Sequence, residues 1–314
     1  MEQTPAHMIL LGVALPALIA LVGALLAWGL LCDDKTPAAR RPWWVAPPAL
    51  FLAFASVLGA TNSVEASLWP LSAPERKLAI GLVALAAGMV DAISPWRVVR
   101  VAARMLGAGA AAWVTAGALH PHTLNTTDLV LLLTLAGVLA AACVWVFVRW
   151  ESDASLGALA LGLACGGAAV VLFLGSSPKT GLQAGLLGAF FVAWGLGAVA
   201  VPRATLARGG ATTLVVILVG LLTAGQAFSF EPAPWASYVL VLVALAGAGL
   251  GGRLGRGRHW LVRTVLVFVT TAAPLGIGVG LALTPPRDQE RGDDAGDADG
   301  WDWSGGATLS PEDE

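Results

Sequence analysis

The stretch GMVDAISPWRVVR at positions 88–100 sets one carboxylate, Asp91, beside Arg97 and Arg100, and Arg104 follows shortly after. The arginines are spaced i, i+3, i+7, so on a helix all three share one face. At 1.5 Å of rise per residue, Arg104 lies about 10 Å further along the axis than Arg97. That is deep enough to call for a partner inside a bundle or for an anionic ligand. A helix start carrying an arginine face suits phosphate, because guanidinium forks match phosphate oxygens and helix N-termini favour negative charge. The plainer reading is a helix boundary. There Asp91 closes one helix, and Ser94-Pro95 supplies the N-cap and first-turn proline of the next.

Other residues with comparable chemistry are spread along the chain: Arg40 and Arg41, Asp153 beside Glu151, Arg208, and His259. The three cysteines have no metal-type spacing, and no phosphate-binding glycine loop, nucleophile elbow or paired-histidine zinc motif occurs. The tail segment RGDDAGDADGWDWSGG offers Asp297, Asp299 and Gly300 to a calcium loop. Its first and last ligand positions would be Ala295 and Gly306, which carry no oxygen side chain.

The elements that must position these groups are membrane helices. Of 314 residues, 57% are hydrophobic and only 12% charged, and the mean hydropathy is +0.77. Soluble chains carry about a quarter charged residues. Apolar runs between polar breaks predict ten helices near 8–31, 43–61, 78–92, 97–119, 128–149, 155–175, 181–201, 211–228, 235–252 and 260–284. The expected fold is therefore an all-α polytopic membrane protein over 1–284. A disordered acidic tail is expected over 285–314, which holds 10 of the 20 acidic residues. Alternate loops carry 13 of the 18 basic residues, which predicts that those loops are cytoplasmic and both termini outside. Asp91 and the arginines after it then face the cytoplasm.

In these loops the chain resembles the polyprenyl-phosphate N-acetylhexosamine-1-phosphate transferases. DDKTPAARR offers Asp34, Pro37, Arg40 and Arg41 to the first family motif, and GMVDAISPWRVVR offers Gly88, Asp91, Pro95 and Arg97 to the second. In the third, VWVFVRWESDASLGALALG keeps Asp153; RATLARGGA keeps Arg203, Leu206 and Gly210; RLGRGRHW keeps His259. The departures are specific. Ala92 stands where the family has a second aspartate, Arg208 replaces a carboxylate, and the asparagines of the third motif are gone.

The resemblance implies transfer of a sugar-1-phosphate from a UDP-sugar to undecaprenyl phosphate in envelope polysaccharide synthesis, at the bacterial cytoplasmic membrane. In an active member, Asp91 and Asp153 would be the catalytic carboxylates and would hold Mg²⁺. Arg40, Arg41, Arg97, Arg100, Arg104, Arg208 and His259 would bind phosphate. With so few carboxylates left, the expectation is a catalytically impaired member that binds the lipid phosphate or the nucleotide-sugar. Polyprenyl phosphate and a UDP-sugar are the expected partners, a homodimer is compatible with this, and nothing points to nucleic acid. The alternative from a different class is a ten-helix small-molecule transporter of the inner membrane, although no inverted repeat links the two halves.

Overall fold

A computed structural model describes residues 5–28, 43–61, 73–117, 125–151, 153–202, 204–229 and 232–284. Among them are ten helices. Helix α1 covers 5–28 and alternates α-helical turns with the π-type turns Leu10–Ala14 and Val22–Trp28. The others are α2 (Ala46–Ala60), α3 (Ala73–Ile93), α4 (Arg97–Ala116), α5 (Thr126–Trp150), α6 (Ala154–Leu174), α7 (Pro178–Ala200), α8 (Gly210–Phe228), α9 (Trp235–Leu254) and α10 (Trp260–Ala282). Eight of these are long and apolar enough to cross a membrane. The chain is thus an all-helical, multi-pass membrane protein. Arg40, Arg41 and the acidic tail over 285–314 lie outside the described residues.

Two differences from the sequence reading concern charged and capping residues. Helix α3 begins at Ala73, several residues before the expected start at 78, and takes in Arg76 and Lys77. Bonds across the bundle accommodate the charge: Lys77 Nζ donates to Thr180 Oγ1 at 3.1 Å and to Gln183 Oε1 at 2.9 Å. Gln183 Nε2 in turn donates to Thr61 Oγ1 at 2.9 Å, tying α2, α3 and α7 together. The second difference concerns Ser94-Pro95, which does not start α4. Trp96 is the N-cap, without a side-chain capping bond, and Ser94 Oγ instead accepts from the Trp96 N–H at 3.3 Å.

Helix α8 is the axis of the bundle. Thirteen consecutive residues, Gly210 to Leu222, are buried, and α8 packs on α3 and α4 as well as on α2 and α5. Without a hydrophobic drive between helices in lipid, close approach of small residues supplies the packing. In α4 these are Gly107, Ala108, Ala111 and Ala112. In α9 and its C-cap they are Gly247, Gly251 and Gly255, at four-residue spacing. A side chain at Gly247 would strike the Thr270 carbonyl, and one at Gly255 would meet Arg263 Cα at 2.9 Å. The helix breaks at 94–96, Glu151 and Asp153, 204–209 and 255–259 gather at one end of the bundle, linked by bonds of Arg208 to Ser94, Gly209 to Asp91, Thr205 to Glu151 and Arg263 to Asp153.

Candidate functional site

At this end the helix breaks are cross-linked by charge. Asp91, in the last turn of α3, is 0% exposed and Arg104 in α4 is 4% exposed. Arg104 donates to Asp91 Oδ1 through Nε at 3.1 Å and Nη2 at 2.8 Å. Asp91 Oδ2 accepts from the Gly209 N–H at 3.1 Å and from Thr212 Oγ1 at 2.7 Å. The carboxylate thus meets the N-terminal turn of α8, where the helix dipole favours negative charge. All four acceptor positions of its two oxygens are taken. Asp91 is a structural clasp of α3, α4 and α8 rather than an incidental helix end.

The geometry of that clasp depends on small residues. Gly209 has φ +76°, a conformation that side chains disfavour. A Cβ on it would meet Ala92 Cβ at 2.8 Å and the Gly88 carbonyl at 3.0 Å. A Cβ on Gly88 would strike Thr213 Oγ1. Ala92 is itself 5% exposed. So Ala92 is the floor on which the turn before α8 rests.

The arginines form one cationic cavity. Arg97, Arg100 and Arg104 of α4, with Trp145 and Arg149 of α5, line a space of about 270 Å³. The sequence reading of a shared face holds. Arg149, with its guanidinium 5.7 Å from the Trp145 ring, joins it from the facing helix. Among the described residues, the only carboxylate paired with any of these arginines is Asp91. Arg100 Nε is buried with no bonding partner. Behind the clasp, Arg208 Nη2 donates to the Ser94 carbonyl at 3.2 Å, and its guanidinium lies 5.5 Å from the Trp43 ring. Burial pushes the Arg208 pKa below its ordinary value. Arg100 and Arg104 push it the same way, and Asp91 partly opposes them. Positive charge therefore exceeds negative charge here, an arrangement that an anion relieves.

Asp153 belongs to a second network. Its Oδ1 caps α6, accepting from the N–H of Ser155 at 3.0 Å and of Leu156 at 3.4 Å and from Ser155 Oγ at 2.7 Å. Oδ2 accepts from Arg263 Nη2 of α10 at 2.7 Å. Desolvation raises the Asp153 pKa, but the Ser155 and Leu156 bonds together with Arg263 outweigh it and hold the group below the carboxylate range. Next to it, Thr205 Oγ1 lies 2.5 Å from Glu151 Oε2, while Oε1 is buried without a partner. Burial pushes the Glu151 pKa up to about 8, aided by Asp153 and opposed by Thr205. His259 is exposed in the turn before α10, its ring 6.0 Å from Trp260.

These residues do not fit the Mg²⁺ site implied by the resemblance. Asp91 has no free acceptor position, and Asp153 is committed to a cap and an ion pair. Among the described residues, no three His, Cys, Asp or Glu side chains are grouped to hold a metal. In this structure Asp91 and Asp153 belong to two separate networks, each bonded within the helix ends it joins. His259 does not line the arginine cavity. Sequence reasoning missed Trp145 and Arg149 as cavity residues. Their signal was the i, i+4 pair at the end of α5, antiparallel to the start of α4. It also missed the bonding of Gly209, Thr212 and Thr205, for which the sequence held no signal, since each partner is at least 54 residues away.

A larger cavity, about 740 Å³, lies toward the opposite end between α4, α5, α8 and α9, and no charged side chain lines it. Of these two cavities, only the arginine cavity is lined by charged side chains. Comparison with protein-family models, with curated proteins and with solved structures finds no match for this chain.

Proposed function

We propose that this chain is a membrane-embedded binder of a phosphate-bearing ligand, a polyprenyl phosphate or a nucleotide-sugar of the kind used in envelope polysaccharide synthesis, and that it does not catalyse sugar-1-phosphate transfer. The observation that carries the reading is the cavity where Arg97, Arg100, Arg104 and Arg149 converge with one carboxylate among them. Arginine forks bind phosphate oxygens in pairs, and a partly buried site strengthens each such bond. The non-catalytic half follows from the bonded state of Asp91 and Asp153. Phosphoryl transfer from a pyrophosphate donor needs a metal clamp or its equivalent, and neither carboxylate is free to provide one.

The test has two arms. Purified protein is incubated with undecaprenyl phosphate, UDP-GlcNAc and Mg²⁺, and UMP release is measured; turnover by the native chain overturns the non-catalytic reading. Binding of inorganic phosphate and of UDP-GlcNAc is then compared for the native chain, Arg100→Gln and Arg149→Gln. Phosphate binding weakened at least tenfold in both variants supports the reading. Binding that is absent, or indifferent to both substitutions, overturns it and leaves the ten-helix transporter of the inner membrane as the reading to pursue.

A further inference from the structure

Three helices each turn a face to the cavity of about 740 Å³ at the far end of the bundle. Leu132, Leu135 and Leu139 share one face of α5, and Trp235, Val239 and Leu242 share one face of α9. The third face belongs to α8. Burial of that helix is unbroken from Gly210 to Leu222 and stops at Thr223, which is half-buried, and Gln226 is exposed. Thr223 and Gln226 are one turn apart and both line the cavity. The hydroxyls of Thr134, Thr213, Thr270 and Thr271 each bond the carbonyl four residues back. Thr223 makes no such bond. Among the described residues, neither its hydroxyl nor the Gln226 amide has a hydrogen-bond partner. In a lipid surrounding an unbonded hydroxyl or amide is costly, so these two groups call for a partner that the bundle does not supply.

We infer that this cavity is a second ligand site, for a neutral amphiphile. Its single uncharged head, a hydroxyl or an amide, bonds Thr223 and Gln226, and its hydrocarbon body lies along α5 and α9. The dimensions agree. From Gln226 and Trp235 the cavity runs inward for seven residues, about 10 Å, to Val219 and Leu242. The mouth is polar and lies at the helix ends, where Trp235, 70% exposed, suits the membrane interface. The floor is apolar, and the volume is that of a small-molecule site. A charged head is excluded, because no charged side chain lines the wall and the charge would be buried without a counter-ion. A plain hydrocarbon fills the floor but leaves both polar groups unbonded. The inference goes beyond the anion-binding reading and does not depend on it.

The experiment is photolabelling of the full chain in phosphatidylcholine vesicles. The probes are diazirine-bearing hexadecanol, hexadecyl sulfate and hexadecane, and labelled residues are located by mass spectrometry. Hexadecanol should label the cavity faces of α8 and α9 saturably, and unlabelled hexadecanol should compete where hexadecyl sulfate does not. Thr223→Val combined with Gln226→Leu removes both bonding groups at nearly constant shape. Since neither group bonds the bundle, this variant should still fold. It should weaken hexadecanol about tenfold, the loss of two neutral hydrogen bonds, and leave hexadecane unchanged. Ala136→Phe, which fills the cavity, should abolish labelling there by both probes. Labelling that does not saturate shows bilayer lipid only and overturns the inference. So does hexadecanol binding indifferent to the double variant, or hexadecyl sulfate binding as tightly as hexadecanol. In each case the anion-binding reading is untouched, because no residue of the arginine cavity enters the test.

Discussion

Replacing Asp91 by asparagine is the perturbation that most directly separates a structural carboxylate from a catalytic one. The native side chain accepts four hydrogen bonds, two from Arg104 and one each from Gly209 and Thr212, with no exposure to solvent. Asparagine keeps the volume but turns one oxygen into an NH₂ group. That group must face either the Arg104 guanidinium or the donors of the α8 N-terminus. A donor then opposes donors, and Arg104, 4% exposed, is left as a buried cation without its counter-ion. Breaking one side of such a pair costs about 3–5 kcal/mol. At about 2–4 °C per kcal/mol for a chain of a few hundred residues, the melting temperature should fall by about 10 °C. Thermal unfolding followed by fluorescence-detected size exclusion in detergent measures this directly. The double variant Asp91→Leu/Arg104→Met removes both charges and should recover more than half of the loss. An Asp91→Asn protein that melts within about 2 °C of the native chain would refute the clasp. A double variant no more stable than the single one would show that the bonds to Gly209 and Thr212, not the ion pair, carry the cost.

Three further outcomes follow from the same geometry. Ala92→Asp, which restores the residue expected from the resemblance, should not create activity. It sets a second carboxylate under Gly209 in a fully packed position and should cost about 3 kcal/mol or more, read as loss of monodisperse protein. Glu151 should make stability pH-dependent. Its folded pKa, about 8, lies above the ordinary 4.5, so the folded chain holds a proton that the unfolded chain releases between these values. Stability should therefore be highest below pH 4.5 as far as this group is concerned, fall as the pH rises to about 8, and then level off. Glu151→Gln should remove that slope in melts taken from pH 5 to 9, and an unchanged slope would exclude Glu151 as its source. Finally, Gly251→Leu drives a side chain into Val267 Cα, which even a Cβ would approach to 2.6 Å. It should separate α9 from α10 and lower the melting temperature more than Gly276→Leu, where no atom lies within 4 Å.

Much of this protein was legible in one dimension because lipid leaves the backbone few choices. A run of about 20 uncharged residues must bond its own peptide groups and so becomes a helix, and the ten helices fall close to the ten apolar runs. Helix periodicity likewise put Arg97, Arg100 and Arg104 on one face, and they do line one cavity. Local spacing could not say which distant groups meet that face. On local spacing Asp91 read first as a helix end, and only the resemblance made it a metal ligand. Only the packing of α8 against α3 and α4, which brings Gly209 and Thr212 to its second oxygen, decided for the counter-ion. The same packing made Ala92 the floor of the turn before α8, and the packing of α5 on α4 set Trp145 and Arg149 across from the arginine face. Span and period are properties of neighbouring residues in a chain. The state of a carboxylate depends on which donors surround it, and here these come from helices 13 to 121 residues away.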